Sequence, residues 1–118
     1  MTAGTSLSGQ AIGEGILLIL GHDGFRKIAV SEDHNQISLG VAVIGSDANL
    51  ALKPFNKKIG PDPATLTSAM VGGIVSNNAS GMCCGTAQNS YQTIASAKLL
   101  FADGTRLDTG CERSKAAF

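Results

Sequence analysis

The sequence has few of the residues on which most catalytic sites depend. It has no tryptophan, one tyrosine, two histidines and three cysteines. Nine Lys and Arg residues balance nine Asp and Glu residues, and no basic stripe is visible, so we expect no nucleic-acid partner. The longest apolar run, residues 16–20, is far shorter than the ~20 residues of a membrane-spanning helix. No basic segment precedes that run as in a secretory signal, so the expected location is cytoplasmic.

The cysteines and histidines do not form a recognisable reactive group. Cys83, Cys84 and Cys111 lack the two-residue gaps typical of zinc or iron–sulfur ligation, and adjacent cysteines pair only with strain, so we expect reduced thiols and no metal site. Cys83 and Cys84 have no basic neighbour in sequence and are interpreted as small buried hydrophobic residues. His22 and His34 lie in predicted turns and are expected at the surface. We therefore assign no catalytic residue.

What the sequence does contain is glycine, at 15 of 118 positions, in a chain of globular composition. This length allows one domain. Apolar runs predict a buried strand over residues 16–20 and two more over 25–30 and 36–43, joined by a polar turn. Ser46 or Asp47 is expected to cap a helix of about two turns that ends near Pro54.

The last third of the chain predicts a β-hairpin. Residues 93–102 have a strand pattern, Asp103 and Gly104 form a strong two-residue hairpin turn, and residues 105–108 return antiparallel. The polar tail after Gly110 is expected to fray. Short helical turns are plausible within residues 64–75. The predicted fold class is α+β.

Two regions rich in glycine and small polar residues are candidates for binding. The first, residues 4–10, has the chemistry of an anion cradle, because glycines let backbone N–H groups converge and hydroxyls add donors. The second runs over residues 60–65 and 72–81 and repeats this inventory, with prolines that pre-set the backbone. The alternative is that both are ordinary structural loops. Gln10 and Ala11 stand where a P-loop needs Lys and Ser or Thr, so an NTPase is not expected.

These motifs, in this order, carry a resemblance to a known family. Residues 3–10, 60–63, 72–73 with 77–81, and 100–105 together resemble the FAD-binding domain of the vanillyl-alcohol oxidase (PCMH-type) flavoproteins, in particular the FAD-linked oxidases akin to D-lactate and D-2-hydroxyglutarate dehydrogenases. The resemblance implies a partial FAD-binding domain over residues 1–110, followed by a polar tail over 111–118. It implies FAD as the cofactor, held non-covalently because the first loop has no His or Cys.

The resemblance also implies roles for the residues of both regions. The pyrophosphate would be wrapped by Gly4, Thr5, Ser6, Leu7, Ser8, Gly9 and Gln10. The ribityl and pyrophosphate path would be lined by Pro61, Asp62, Pro63, Ala64, Thr65, Thr67 and Ser68. The flavin and ribityl would be flanked by Gly72, Gly73, Asn77, Asn78, Ala79, Ser80 and Gly81.

The reaction implied for the whole enzyme is hydride transfer from a D-2-hydroxy acid to FAD. The family's substrate-binding cap has no counterpart in these residues, so the cap of a full-length enzyme is the expected partner, and this piece alone is expected to be inactive. Two alternatives stay open. The chain could be a non-catalytic module that no longer binds flavin, or the cradle could serve a different oxidation, as in aryl-alcohol oxidases or the reductases of cell-wall precursors.

Overall fold

The computed structural model describes residues 4–6, 8–9, 12–16, 18–20, 24–82 and 85–118. Two separate antiparallel sheets of two strands each are accompanied by short helices, which confirms the α+β class. The elements in chain order are β1 (Ile28–Val30), β2 (Ile37–Leu39), α1 (Gly45–Leu52), a 3₁₀ turn (Lys53–Phe55), α2 (Val71–Ser76), α3 (Ser90–Thr93), β3 (Lys98–Leu100), β4 (Arg106–Asp108) and α4 (Glu112–Ala116). No helix in these described ranges is long and apolar enough to cross a membrane.

The first hairpin, β1 and β2, is confirmed with shorter strands than the sequence predicts. Ile28 pairs with Leu39 and Val30 with Ile37 across the sheet. The polar turn between them is held by Asp33, whose carboxylate accepts hydrogen bonds from the Ser31 hydroxyl and from the backbone and side chain of Asn35. These bonds, the Ser31 hydroxyl first, lower the pKa of Asp33 to about 2.

His34 lies at the surface of that turn, as predicted, in the left-handed conformation with φ 55°. Its ring stacks on Phe55 with 3.9 Å between the ring centroids. The Lys57 ammonium donates to the His34 carbonyl at 2.8 Å, so the turn is fastened to the segment that follows α1. His22 lies outside the described residues.

The buried strand predicted over residues 16–20 is wrong for the described part of that run. Ile16, Leu18 and Ile19 are 102%, 70% and 69% exposed, and they have no strand conformation. A strand is stable only when its N–H and C=O groups meet a partner strand. Both described sheets contain only the pairs β1–β2 and β3–β4, so neither of them offers a partner to this run.

Helix α1 ends as predicted but begins differently. It runs for 8 residues to Leu52, and Pro54 lies in the 3₁₀ turn that follows. Its N-cap is Ile44 rather than Ser46 or Asp47, and no side chain caps it. The N–H groups of Gly45 and Ser46 instead donate to the carbonyls of Ala69 and Leu66, at 3.0 and 3.1 Å. Carbonyls from a distant turn thus replace the side-chain cap.

The buried core is small and lies where α1, α2 and the chain just before α1 meet. Its apolar members are Ala42, Val43, Ala48, Leu52, Ala69 and Ile74. Two of these residues, Ala48 and Leu52, lie in α1, whereas Phe55 in the 3₁₀ turn is 37% exposed. The core therefore fastens the second glycine-rich region onto α1.

The C-terminal hairpin is confirmed in position, with a different turn and shorter strands. The Gly104 N–H donates to the Phe101 carbonyl and the Phe101 N–H to Thr105, so the loop has a third residue, Ala102, besides Asp103 and Gly104. Only Gly104 has positive φ, at 86°, whereas a two-residue type I′ turn needs two such residues. The Asp103 carboxylate accepts from the Thr105 N–H, which lowers its pKa.

The segment after Gly110 does not fray as expected but forms α4. The Asp108 N–H of β4 donates to the Ser114 hydroxyl at 2.9 Å, and the rings of Phe101 and Phe118 stack with centroids 5.0 Å apart. These contacts pack the last residues of the chain against the C-terminal hairpin. The division into a domain over residues 1–110 and a tail over 111–118 stays a prediction.

Candidate functional site

The first loop has the backbone conformation that its glycines permit. Gly4 and Gly9 have φ values of 68° and 70°, in the left-handed region that residues with a Cβ seldom adopt. The Gly9 N–H approaches the Ser6 carbonyl at 3.4 Å, and the Gly9 carbonyl accepts from Ile12 at 3.0 Å. A Cβ at Gly9 would meet no atom within 4 Å. The glycine is therefore required by its backbone angle and not by crowding within this chain.

The loop also has the composition of an anion site. Residues 4–9 contain no carboxylate, and Thr5 and Ser8 are exposed with their hydroxyls. Neutral hydroxyl and N–H donors next to left-handed glycines can bind a phosphate by hydrogen bonds. Leu7 and Gln10, which the sequence places in the same site, lie outside the described residues.

The second region begins with a rigid turn that packs under α1. Pro61 is buried, and the N–H groups of Leu66 and Ala69 donate to the carbonyls of Pro63 and Thr65 at 2.9 and 2.7 Å. Helical turns thus form close to where the sequence predicts them. The turn leaves Ala64, Thr67 and Ser68 exposed.

Helix α2 ends in a turn that contains Asn77 and Asn78 and bonds back to the last carbonyls of the helix. The Ala79 N–H donates to the Ile74 carbonyl and the Asn78 N–H to the Val75 carbonyl, both at 2.9 Å. This pair of bonds is the Schellman motif, in which the residue after the C-cap adopts the left-handed conformation. Asn78 does so with φ 45°, as asparagine tolerates better than most residues. The turn leaves Asn77 exposed at its tip.

The two halves of the second region are joined directly. The Asp62 N–H donates to the Ser80 carbonyl at 2.8 Å, and Asp62 and Gly81 form a parallel β-bridge. A Cβ at Gly81 would overlap the Asp62 carbonyl, so this glycine is needed for the close approach of two backbone segments. Asp62 also faces the Lys58 ammonium at 3.7 Å, where both side chains are partly exposed.

The predicted site residues thus fall into three levels of exposure. Exposed residues are Gly4, Thr5, Ser8, Gly9, Ala64, Thr67, Ser68, Asn77 and Gly81. Half-buried residues are Ser6, Asp62, Pro63, Thr65, Gly72, Gly73, Asn78, Ala79 and Ser80, and Pro61 is buried. Hydrogen bonds within the second region bring its residues together. Within the described residues, no group of three or more His, Cys, Asp or Glu side chains could hold a metal ion.

Ser90 and Tyr91 also contact the second region, and neither contact is predicted from the sequence. Ser90 is a buried polar residue, 2% exposed, and its hydroxyl lies within hydrogen-bonding distance of the Ile74 and Ala79 carbonyls. The Tyr91 N–H donates to the Asn78 side-chain oxygen at 3.0 Å. A helix N-terminus could have been predicted here, because Asn89 caps α3 by accepting from Gln92. The residues next to Ser90 in sequence do not indicate which turn it contacts.

Comparison with known proteins identifies the family. A family described as "FAD binding domain" matches residues 1–110. The chain belongs to that family. Its cofactor is FAD, which confirms the expectation from the resemblance. No solved structure matches the chain.

Two similar proteins carry the same name. The chain is 26% identical over 106 residues to the D-2-hydroxyglutarate dehydrogenase of Escherichia coli K12, covering 90% of this chain and 10% of that protein. It is 27% identical over 78 residues to the D-2-hydroxyglutarate dehydrogenase of Pantoea ananatis, covering 66% of this chain and 8% of that protein. The chain thus spans about a tenth of the length of these relatives.

Proposed function

We propose that this chain is the cofactor-cradling segment of a flavin-dependent dehydrogenase that oxidises a D-2-hydroxy acid. The observation that carries the proposal is the first loop, with two left-handed glycines, exposed hydroxyls and no carboxylate, inside a segment that belongs to an FAD binding domain family. These features fit the pyrophosphate of FAD, because a doubly charged group needs several neutral or positive donors and no nearby negative charge.

Each part of the site would have a separate task. The backbone of residues 4–9 would donate hydrogen bonds to the pyrophosphate. The segment from Pro61 to Ser68 would line the path of the ribityl chain, and the turn from Asn77 to Gly81, braced by Asp62, would lie beside the flavin. FAD, when bound, supplies the hydride acceptor, and the protein fixes its position and excludes water.

The substrate class rests on the two relatives named D-2-hydroxyglutarate dehydrogenase. None of the described residues in the two candidate regions is placed to take a proton from a hydroxyl, since Asp62 is paired with Lys58 and the other side chains carry hydroxyls, amides or no polar group. We therefore propose that the substrate-binding cap belongs to the rest of the enzyme. A cytoplasmic location stays a prediction.

The test compares uptake of cofactor with turnover. The purified 118-residue chain should acquire a flavin absorption spectrum when mixed with FAD and desalted. The loaded chain should oxidise neither D-2-hydroxyglutarate nor D-lactate with an artificial electron acceptor, because substrate positioning supplies a large part of such rate enhancements. Loss of all flavin on desalting would favour the non-catalytic module, and measurable turnover would contradict the assignment of the cap to other residues.

A further inference from the structure

The first residues of α3 form hydrogen bonds with the end of α2 and with the turn that follows it. Ser90 is 2% exposed, and its hydroxyl oxygen lies 3.1 Å from the Ile74 carbonyl and 3.0 Å from the Ala79 carbonyl. Its N–H also donates to the Ala79 carbonyl, at 3.0 Å. A buried hydroxyl of this kind has one proton to donate, and here the acceptors within reach are the Ile74 carbonyl in α2 and the Ala79 carbonyl in the turn that follows α2.

The next residue, Tyr91, contacts Asn78, which is the residue of the turn with the left-handed conformation. The Tyr91 N–H donates to the Asn78 side-chain oxygen at 3.0 Å. Asn78 is thus held in its left-handed conformation by a contact from outside the turn, in addition to the Schellman bonds within it. Two successive residues of α3 therefore fix two successive residues of the turn.

The same turn holds the other half of the region. Ser80 follows Ala79 directly, and its carbonyl accepts from the Asp62 N–H at 2.8 Å. The position of the turn therefore also sets the position of Asp62 and of the prolines on either side of it. A change at Ser90 is expected to reach both halves of the region through this short series of hydrogen bonds.

We infer that Ser90 is a positioning residue for the FAD site. Its buried hydroxyl contacts the Ala79 carbonyl of the turn of residues 77–81 and the Ile74 carbonyl of α2, so that the turn keeps the shape the cofactor requires. This inference rests on the proposed function, in which that turn lies beside the flavin. Binding groups are effective only when their own conformations are fixed by surrounding contacts, and Ser90 supplies such a contact.

The test measures FAD affinity and the environment of the bound flavin in the 118-residue chain. Ser90→Ala should bind FAD about five- to tenfold more weakly, as expected for one buried hydrogen bond, and should alter the visible circular dichroism of the bound flavin at saturation. Ser90→Cys keeps the size and a weak donor, and should lie between Ser90→Ala and the parent. The matched control is Thr93→Val, which keeps the shape of the side chain, removes an exposed hydroxyl that donates to the Asn89 carbonyl at 2.9 Å, and should bind FAD within about twofold of the parent.

The outcomes separate this inference from the proposed function. If the parent chain takes up no FAD, the proposed function fails and this inference fails with it. If the parent binds FAD but Ser90→Ala loses only thermal stability, with unchanged affinity and flavin dichroism, Ser90 is structural and only the inference is overturned. Should Ser90→Ala not fold, Asn78→Gly decides, because it keeps the left-handed backbone and removes the contact with Tyr91. Parent-like FAD affinity in that variant would also overturn the inference.

Discussion

Valine in place of Gly9 should abolish most of the FAD affinity of the first loop. Gly9 has φ 70°, where a β-branched residue is strained by about 1–3 kcal/mol. Rotation to negative φ would relieve this strain and would turn the backbone of the loop away from the proposed position of the pyrophosphate. Loss of two hydrogen bonds to a charged phosphate, at about 1.5–3 kcal/mol each, weakens binding at least about a hundredfold.

Gly13→Val is the matched control for this variant. Gly13 lies outside the left-handed region, and a Cβ there would meet no atom within 4 Å, so valine adds the same bulk without strain. Ser8→Ala should weaken binding less than Gly9→Val, because it removes one hydroxyl and keeps the backbone. Titration of the apo forms with FAD, followed by flavin fluorescence, ranks the variants, and far-ultraviolet circular dichroism checks that the fold persists. Equal affinity of Gly9→Val and the parent would refute the assignment of this loop to the cofactor.

Three further predictions concern the bond between protein and cofactor, the turn that contains Asp33, and the contact between Gly81 and Asp62. FAD should be released completely by acid precipitation, and yellow colour retained in the protein pellet would indicate a covalent bond. Because the pKa of Asp33 is lowered from 3.8 to about 2, its carboxylate contributes stability above pH 3.8 that is lost as the pH falls towards 2; NMR titration should show this midpoint, and Ser31→Ala should raise it. Gly81→Ala should destabilise the fold by at least about 1 kcal/mol more than Gly85→Ala in denaturant unfolding, since both have positive φ but only Gly81 abuts another backbone. Equal losses for these two variants would contradict the close approach to Asp62.

The elements that could be predicted from the sequence are those set by local chemistry. Both hairpins were found because polar turn residues separate apolar runs, and the end of α1 was found because Pro54 cannot continue a helix. The start of α1 was missed because its first N–H groups are satisfied by carbonyls of Ala69 and Leu66, which are distant in sequence. The strand predicted over residues 16–20 failed for a similar reason, since a strand needs a partner that periodicity does not reveal.

In the candidate site too, features set by neighbouring residues could be predicted, and contacts between residues distant in sequence could not. The first loop could be predicted as an anion cradle because its glycines and hydroxyls are consecutive. In the second region the close approach of Gly81 to the backbone of Asp62 could not be predicted, because the two residues are distant in sequence. The contacts of Ser90 with Ala79 in the turn after α2 and with Ile74 in α2 cross 11 and 16 residues of sequence and could not be predicted from either segment alone.

We propose that this chain binds the pyrophosphate of FAD. Titration calorimetry of the apo chain with FAD, FMN and riboflavin tests it most directly, because the three ligands share the flavin and its ribityl chain and carry a pyrophosphate with adenosine, one phosphate and no phosphate, respectively. The account predicts saturable binding of one FAD per chain, weaker binding of FMN, which has a single phosphate, and the weakest binding of riboflavin. Equal affinity for all three, or no saturable binding of FAD, would contradict it.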